Sequence, residues 1–416
     1  MFHLMEVKVA LSYIPFLSYI VGCTFNLEEG LHVMLYFDHC ASTPPHEDVV
    51  RTMMEVMTKH YANPSSLHSG GVAAAKLIEK AREQLTSLMH TKQGKWMFTS
   101  GGTESNNLAI KGVARQYANR GKHIITSAVE HASIHEAMQQ LEQEGFTITE
   151  LPVNNTGHVS LDQLKQHITD ETILVSIMHV NNELGSEQPI AAIGQLLKRY
   201  PKVIFHVDAV QSLGKINIDI ENWGIDLLSG SAHKLRGPRG VGFLYMRNGI
   251  QLIPLQVGGS QEHNLRAGTE NVAAVVASAK ALRLAIQSLD QYYNDATILA
   301  TYLRKQIQKI PELKLNGGSP QSPYIVHFSY PGMKPEVVIH MLEQRNILAS
   351  TRSACSSKDD KPSRVLMAIG ATRGEASGGI RISFGQEHTT ADIDKLVDAL
   401  NEIIQSLKHL ERGNTH

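Results

Sequence analysis

A lysine and an aspartate stand 26 positions apart (208 and 234), each at the end of an apolar run. Asp208 closes VIFHVD, and Lys234 follows LLSGSAH, ahead of the Gly/Pro-rich turn LRGPRG. A lone carboxylate at the end of an apolar strand is costly to bury without a cation. A lysine whose surroundings lower its pKa can form a Schiff base with an aldehyde. Together the two meet the needs of pyridoxal phosphate. The aspartate keeps the pyridine nitrogen protonated so that the ring acts as an electron sink, and the lysine holds the aldehyde. A buried structural ion pair is the competing reading of the same two residues.

Four further clusters sit at the ends of predicted strands, where open α/β sheets place their ligands. In SGGTESNN, Ser100–Asn107, two glycines turn the chain into a helix that begins near Glu104. That turn presents free backbone N–H groups and the positive end of a helix dipole, with the Thr103 hydroxyl as an added donor. A phosphate is its natural guest; an ordinary Gly turn with a Thr cap is the alternative. Ser231 and His233 flank the lysine in SGSAHK. In SAVEHAS, His131 could stack on an aromatic cofactor and relay protons, or be an ordinary member of a set of 21 histidines. In MHVNNELG, Asn182 either caps the next helix or donates to a cofactor oxygen or a substrate carboxylate.

The elements that must position these residues follow from the hydropathy pattern. Seven short apolar, β-branched runs are predicted as strands: Lys95–Ser100, His123–Val129, Thr147–Val153, Thr172–Val180, Val203–Val210, Asp226–Ser229 and Val241–Met246. Runs such as TILVSIMHV are apolar on both faces, as strands covered by helices on either side must be. Helices are predicted between them, for instance Glu104–Arg120, Ser133–Glu144 and Ala191–Arg199. The alternation predicts an α/β domain with a mostly parallel sheet. After about residue 285 the pattern changes. A long helical stretch over Val272–Ile310, a strand in YIVHFSY, a helix at Pro335–Arg345, a strand at Gly379–Phe384 and a final helix from Thr390 predict a smaller α+β unit.

Composition bounds the function. A chain of 416 residues is long enough for two or three structural units. Its 39 Lys+Arg against 40 Asp+Glu lack the basic footprint of a protein that grips nucleic acid directly. Three cysteines, Cys23, Cys40 and Cys355, are too few and too scattered for a disulfide framework or a thiolate cage. No metal is expected, and a reducing, cytoplasmic setting is. The apolar run over residues 9–25 is short for a membrane span and is interrupted by Pro15. Ile20-Val21-Gly22-Cys23 resembles a lipoprotein cleavage box, a secretory alternative. A different expectation is favoured. Glu28-Glu29-Gly30 would be encoded by GAR-GAR-GGN, which can spell a purine-rich ribosome-binding site shortly before Met34. Residues 1–33 are therefore read as a leader and Met34 as the start, which N-terminal sequencing of the native protein tests.

FTSGGTESNNLAIKG, SAVEHAS, SIMHVNNELG, FHVDAVQSLGK, SGSAHKLRGPRGVGFLY, LRAGTENV, SACSS and GGIRISFG follow one another in the order found in cysteine desulfurases. The resemblance to this family runs from about Tyr36 to the final helix. It implies the type I fold of pyridoxal-phosphate-dependent aminotransferases: α/β, with a large domain on a mostly parallel seven-stranded sheet and a smaller α+β C-terminal domain. The large domain is expected over residues 44–285, and the small one over 34–43 with 286–416. Lys234 resembles the lysine that holds pyridoxal 5'-phosphate, and Asp208 the partner of its pyridine nitrogen. Gln211 and Asn182 are similar to the residues on its phenolic oxygen, with Asn182 also reaching the substrate carboxylate. Gly102, Thr103, Ser231, Ala232 and His233 resemble the phosphate cradle. Thr269 is similar to a threonine that the family contributes to the neighbouring subunit's phosphate site, which implies a homodimer. His131 resembles the stacking, proton-handling histidine, and Arg381 the arginine that binds the substrate carboxylate bidentately. Cys355 in STRSACSSKDDKP resembles the nucleophile of the long-loop group, which takes sulfur from L-cysteine as a persulfide and passes it to an acceptor protein. A small buried cysteine is the commoner fate of a free thiol.

Three places depart from the family's pattern. Its opening Asp-Asn-Ala-Ala-Thr-Thr is here Asp38-His39-Cys40-Ala41-Ser42-Thr43, so side chains near the substrate pocket differ. Leu235-Arg236 replaces an aromatic pair after the lysine, and Asp359-Asp360 make the loop more acidic. The leading expectation is a cysteine desulfurase serving iron–sulfur cluster assembly or tRNA thiolation. A selenocysteine lyase or an aminotransferase of the same fold is the alternative among enzymes; Cys355 argues against an aminotransferase, which needs no nucleophilic thiol. A sulfur-relay scaffold that depends on a partner is the alternative from another class.

Overall fold

The seven predicted runs are seven strands of one sheet: β1 Gly94–Thr99, β2 His123–Ser127, β3 Thr147–Leu151, β4 Thr172–Met178, β5 Ile204–Asp208, β6 Leu227–Ser231 and β7 Gly242–Arg247. They lie in the order β1-β7-β6-β5-β4-β2-β3. All are parallel except β7, which runs antiparallel to both its neighbours. The reason is chain length. The segment between β6 and β7 is about ten residues and holds only a single 3-10 turn, too little for the crossover a parallel neighbour requires. The computed structural model describes residues 34–351 and 361–413. The leader expected at residues 1–33 falls outside the described residues.

Side chains alternate between two cores along every central strand. Ile125, Val175, Ile177, Phe205, Val207 and Leu228 enter one core. Their neighbours Ile124, Leu174, Ile204 and Leu227 enter the other. Period-2 geometry does this automatically, and both faces must be covered. The first face is covered by α2 (Ser69–Leu88) through Ala74, Ile78 and Leu85, and by α5 (Val272–Gln287) through Val275, Ala279 and Leu282. The second is covered by α3 (Gly102–Gln116) through Leu108, Ile110 and Val113, and by α4 (Ala132–Gln143) through Ile134, Met138 and Leu141. Each such aliphatic side chain, fully buried, contributes about 1.5–3 kcal/mol.

Helix α1 (Glu47–Lys59) and α2 lie ahead of the first predicted strand, where no element was expected. Their N-caps are His46 and His68, whose rings accept from the Asp48 and Gly71 amides. Histidine is outside the usual capping set, so the customary start signal is missing. The stretch expected as one long helix is two, α5 and α6 (Leu289–Ile307), bent by 65° at Ser288. The Ser288 hydroxyl donates back to the Leu284 and Ala285 carbonyls, a local bond that competes with the helical ladder.

The second sheet is small and antiparallel, in the order β10-β9-β8, from β8 Lys314–Leu315, β9 Ile325–Ser329 and β10 Gly379–Ser383. Helices α7 (Pro335–Glu343) and α8 (Thr390–Gly413) accompany it. The main sheet lies within residues 94–247 and the second within 314–383, and both belong to one compact unit, Tyr36–His416.

Candidate active site

The parallel strands end along one edge of the main sheet. Register aligns Met178 with Asp208, and Asp208 with Ser229, across neighbouring strands. The turns after β1, β2, β4, β5 and β6 therefore converge, as ligand-binding loops do in open α/β sheets. With the Cys40–Ala41 segment and Arg381 of β10, they enclose a cavity of about 150 Å³. Ten of the residues singled out in the sequence line it: Gly102, Thr103, His131, Asn182, Asp208, Gln211, Ser231, His233, Lys234 and Arg381. Two others do not. Ala232 is fully buried, with its amide donating to the Val241 carbonyl at 3.0 Å, and Thr269 is exposed in the loop before α5. Cys355 falls outside the described residues.

One end of the cavity is built around Asp208. Alternation turns this side chain toward α3, where Asn106 stands one helical turn after Gly102. The Asn106 amide donates to Asp208 Oδ2 at 2.8 Å, and the Val210 amide donates to Oδ1 at 2.9 Å. Burial pushes the Asp208 carboxyl up, against the Val210 bond, the neighbouring His131 and the Asn106 bond. The bonds to this carboxylate come from neutral groups, so a buried cation is still owed. A protonated pyridine nitrogen, as pyridoxal phosphate carries, would supply it. His131 caps α4: its Nδ1 accepts from the Ser133 amide at 3.2 Å and lies 2.9 Å from Ser133 Oγ. Burial pushes the His131 ring pKa down, opposed by the Asp208 charge.

The opposite end is left open for an anion. Helix α3 starts at Gly102 behind a Gly101 N-cap that offers no side-chain acceptor, so its first amides have no capping partner. Ser231 Oγ is buried with no hydrogen-bond partner among the described residues. A Cβ on Gly102 would lie 2.6 Å from Val210 Cγ2, so only glycine lets the backbone come this close. His233 Nδ1 lies 3.3 Å from Ser42 Oγ, and its ring is pushed down to about 4, first by burial and then by Lys234 and Arg239. A neutral ring and open amides match a phosphate that brings its own charge.

Between the two ends, Lys234 Nζ donates to the Cys40 carbonyl and, at 2.8 Å, to the Ala41 carbonyl. Burial is the main reason its ammonium is pushed down to about 8; Arg381 and Lys215 add to the effect. Gln211 Nε2 donates to the Cys40 carbonyl at 3.1 Å, while its Oε1 is buried without a partner among the described residues. Arg381 is 1% exposed. Its Nη1 donates to the Asn182 carbonyl and its Nη2 to Asp38 Oδ1, both at 2.8 Å. The arginine expected to grip a substrate carboxylate with two free nitrogens is thus already held on two sides. An incoming carboxylate has to share it with Asp38.

Three contributors were not singled out in the sequence: Asn106, Ser133 and Asp38. The first two lie inside the quoted motifs, and the i, i+4 spacing of Gly102 and Asn106 was the available signal. Asp38 stands in the quoted opening segment but was given no role, because its partner is 343 residues away. Of the departures, Cys40 lines the cavity. His39 does not: it is buried against the opposite side, with Nε2 2.6 Å from Glu387 Oε1. Leu235 is buried in the main core, and Arg236 donates to Gln386 at 3.1 Å. Both ends of the segment carrying Cys355 are tied to the site. Before it, Ser350 pairs through its backbone with Arg381. After it, Ser363 Oγ donates to Glu183 at 2.6 Å, and Arg364 donates to the Ala128 and Glu130 carbonyls beside His131.

Known proteins resemble this chain over most of its length. The aminotransferase class-V family profile matches residues 35–396. A Dictyoglomus turgidum protein named cysteine desulfurase IscS is 43% identical over 376 residues, covering 90% of this chain and 95% of that one. A solved NifS-like protein superposes with a TM-score of 0.84 at 33% identity, covering 90% of this chain and all of that one. A structure described as SspA in complex with cysteine gives a TM-score of 0.74 at 34% identity, covering 84% and 98%. A cavity with a lysine, a buried aspartate and an open anion cradle at one sheet edge, and these likenesses over nine-tenths of the sequence, agree: the chain belongs to the pyridoxal-phosphate-dependent aminotransferase class-V family, in its cysteine desulfurase branch.

Proposed function

We propose that the chain takes sulfur from L-cysteine, releases L-alanine, and carries the sulfur as a persulfide on Cys355 to an acceptor protein. The substrate's Cβ–S bond breaks and an S–S bond to Cys355 forms. A hydrogen takes the place of sulfur on the carbon, so no external oxidant or reductant is consumed. The observation that carries this reading is the set of Lys234, Asp208 and Arg381 around one cavity. Pyridoxal phosphate, held by Lys234, Asp208 and the Gly102–Thr103, Ser231 and His233 cradle, supplies an electron sink for the bonds at the substrate's α-carbon.

The chain's own groups do the rest. Lys234 Nζ, pushed down to about 8, loses its proton close to neutrality and can then accept one from the α-carbon. Arg381 fixes the substrate carboxylate, with Asp38 and the Asn182 carbonyl holding the guanidinium plane. Cys355 must be a thiolate when it attacks the substrate sulfur. Its position supports this role: it is four residues from Thr351 and six from Lys361. At about 3.3–3.6 Å per extended residue, that tether can reach a cavity to which both flanks are already tied. A homodimer in the cytoplasm fits the reading, with Thr269 of each chain offered to the other's phosphate cradle. The acceptor class we favour is an iron–sulfur scaffold or a tRNA-thiolation enzyme.

The test incubates the holoenzyme with L-cysteine and quantifies alanine and enzyme-bound persulfide, alongside Cys355→Ala. Alanine and a persulfide from the wild type, with neither from the variant, support the proposal. Alanine from the variant at the wild-type rate overturns the assignment of Cys355.

A further inference from the structure

The Asp208 and His131 sides of the cavity are joined by two residues that the proposed reaction does not use. Asn106 Nδ2 carries two hydrogens: one goes to Asp208 Oδ2 at 2.8 Å and the other to Ser133 Oγ at 2.9 Å. The amide cannot be turned round, because that would set its oxygen against the Asp208 carboxylate. Ser133 Oγ, having accepted from Asn106, has its own hydrogen free for His131 Nδ1 at 2.9 Å. The Ser133 backbone N–H, which can only donate, approaches the same Nδ1 at 3.2 Å. Two donors therefore converge on Nδ1, and all the polarity in the chain runs outward from Asn106.

We propose that Asn106 and Ser133 are positioning residues that hold His131 as the neutral Nε2–H tautomer, so that His131 offers a hydrogen-bond donor to the substrate and does not act as the general base. This inference rests on the cofactor and substrate reading above. A ring whose Nδ1 is occupied by two donors has to keep its proton on Nε2, and such a ring cannot accept another there. The charged groups around the ring are Asp208 from β5, Lys234 after β6 and Arg364 from the segment following Cys355; the two cations oppose ring protonation and Asp208 favours it. Burial is the largest of these effects and also opposes ring protonation. Base duty then falls to Lys234. His131 Nε2–H is suited to hold an electron-rich acceptor, such as the substrate sulfur as it leaves carbon.

The experiment uses ¹⁵N-histidine-labelled, full-length holoenzyme and reads the protonation of each ring nitrogen by NMR at pH 7; the His131 signals are those missing from His131→Gln. The expected result is an Nε2–H, Nδ1-unprotonated ring. An Nδ1–H tautomer or an imidazolium overturns the proposal. Ser133→Ala should move the ring toward the Nδ1–H tautomer and lower kcat about three- to ten-fold with little change in KM. Ser133→Thr, which restores the hydroxyl, should recover both. An unaltered ring in Ser133→Ala also counts against the role given to the side chain. The NMR readout needs no turnover, so a failed tautomer assignment is distinguishable from an absence of alanine formation, which would instead overturn the desulfurase reading. The ascending limb of the kcat–pH profile should stay near pH 8 in His131→Gln; its disappearance identifies His131 as the base and refutes the inference.

Discussion

The two ends of the cofactor cavity are built on opposite plans. The end around Asp208 carries a buried carboxyl and surrounds it with donors, from Asn106 and the Val210 amide, in a chain that continues to Ser133 and His131. The end around Gly102 carries no fixed charge and keeps its donors unpaired: the uncapped first turn of α3 and the Ser231 hydroxyl. The difference follows from who brings the charge. A buried protein carboxylate must be bonded in place before the cation arrives, or its burial is too costly. A phosphate arrives with its own charge, so the protein's part is to leave amides open and to keep other atoms out of the way.

The largest expected effect falls on the residue between the two ends. Lys234→Ala removes the base at Nζ and should lower alanine formation by about 10²–10⁴-fold, measured as alanine released from L-cysteine. A drop of less than tenfold would mean that another group carries the proton. In the wild type, sign and window follow from the depressed ammonium: the amine is free above about pH 8, so the rate should rise with pH through that value and then level off.

Next comes the open end. Gly102→Ala pushes a methyl into Val210, an overpacking that costs about 1–3 kcal/mol, equivalent to about 5- to 150-fold in cofactor affinity. The double variant Gly102→Ala/Val210→Ala should recover most of this in a fluorescence titration with pyridoxal phosphate. If it recovers nothing, the close approach of backbone to phosphate, not the clash, is the cause. Thr269→Ala should weaken cofactor retention by a few-fold, on the order of one neutral hydrogen bond. Unchanged affinity counts against a phosphate site shared between subunits.

The smallest effect extends the closed end up its strand. His206, two residues before Asp208, lies between Ser176 Oγ at 2.8 Å and Ser229 Oγ at 2.9 Å, and burial pushes its ring down to about 3. The unfolded ring titrates near 6.5, so below that pH the unfolded state binds a proton that the native state refuses. Stability is complete above about pH 6.5 and is lost as pH falls toward 3, by about 1.4 kcal/mol per pH unit at most from this group. Denaturant unfolding at pH 7 and pH 5 should show a smaller loss for His206→Asn than for the wild type. Equal losses would mean that the ring is already charged in the native protein.

Most of the sheet was legible because burial on both faces writes itself as continuous apolar runs, and all seven predicted runs are strands. The antiparallel setting of β7 was not, since an apolar run carries no direction. Helices α1 and α2 escaped because histidines do the capping. Within the site, residues inside compact motifs were found, while Asn106 and Ser133 were quoted but given no role. Their importance depends on atoms 102 and 27 residues away. His39 shows the opposite error. Cys40 and Ala41 line the cavity, yet the turn over residues 38–41 sends the His39 ring to Glu387 instead.

By itself, the sequence determined which chemistry is available: a lysine and an aspartate at the ends of apolar runs, a glycine turn before a helix, and motifs in a family's order. These are local facts, because strand period, turn geometry and helix starts depend on adjacent residues. Only the tertiary structure decided what each group is able to do. Burial lowers the Lys234 ammonium, Asp38 takes half of Arg381 across 343 residues, and two donors converge on His131 Nδ1. Desolvation and hydrogen-bond direction are set by what packs around an atom, and neither is written at any one position in the chain.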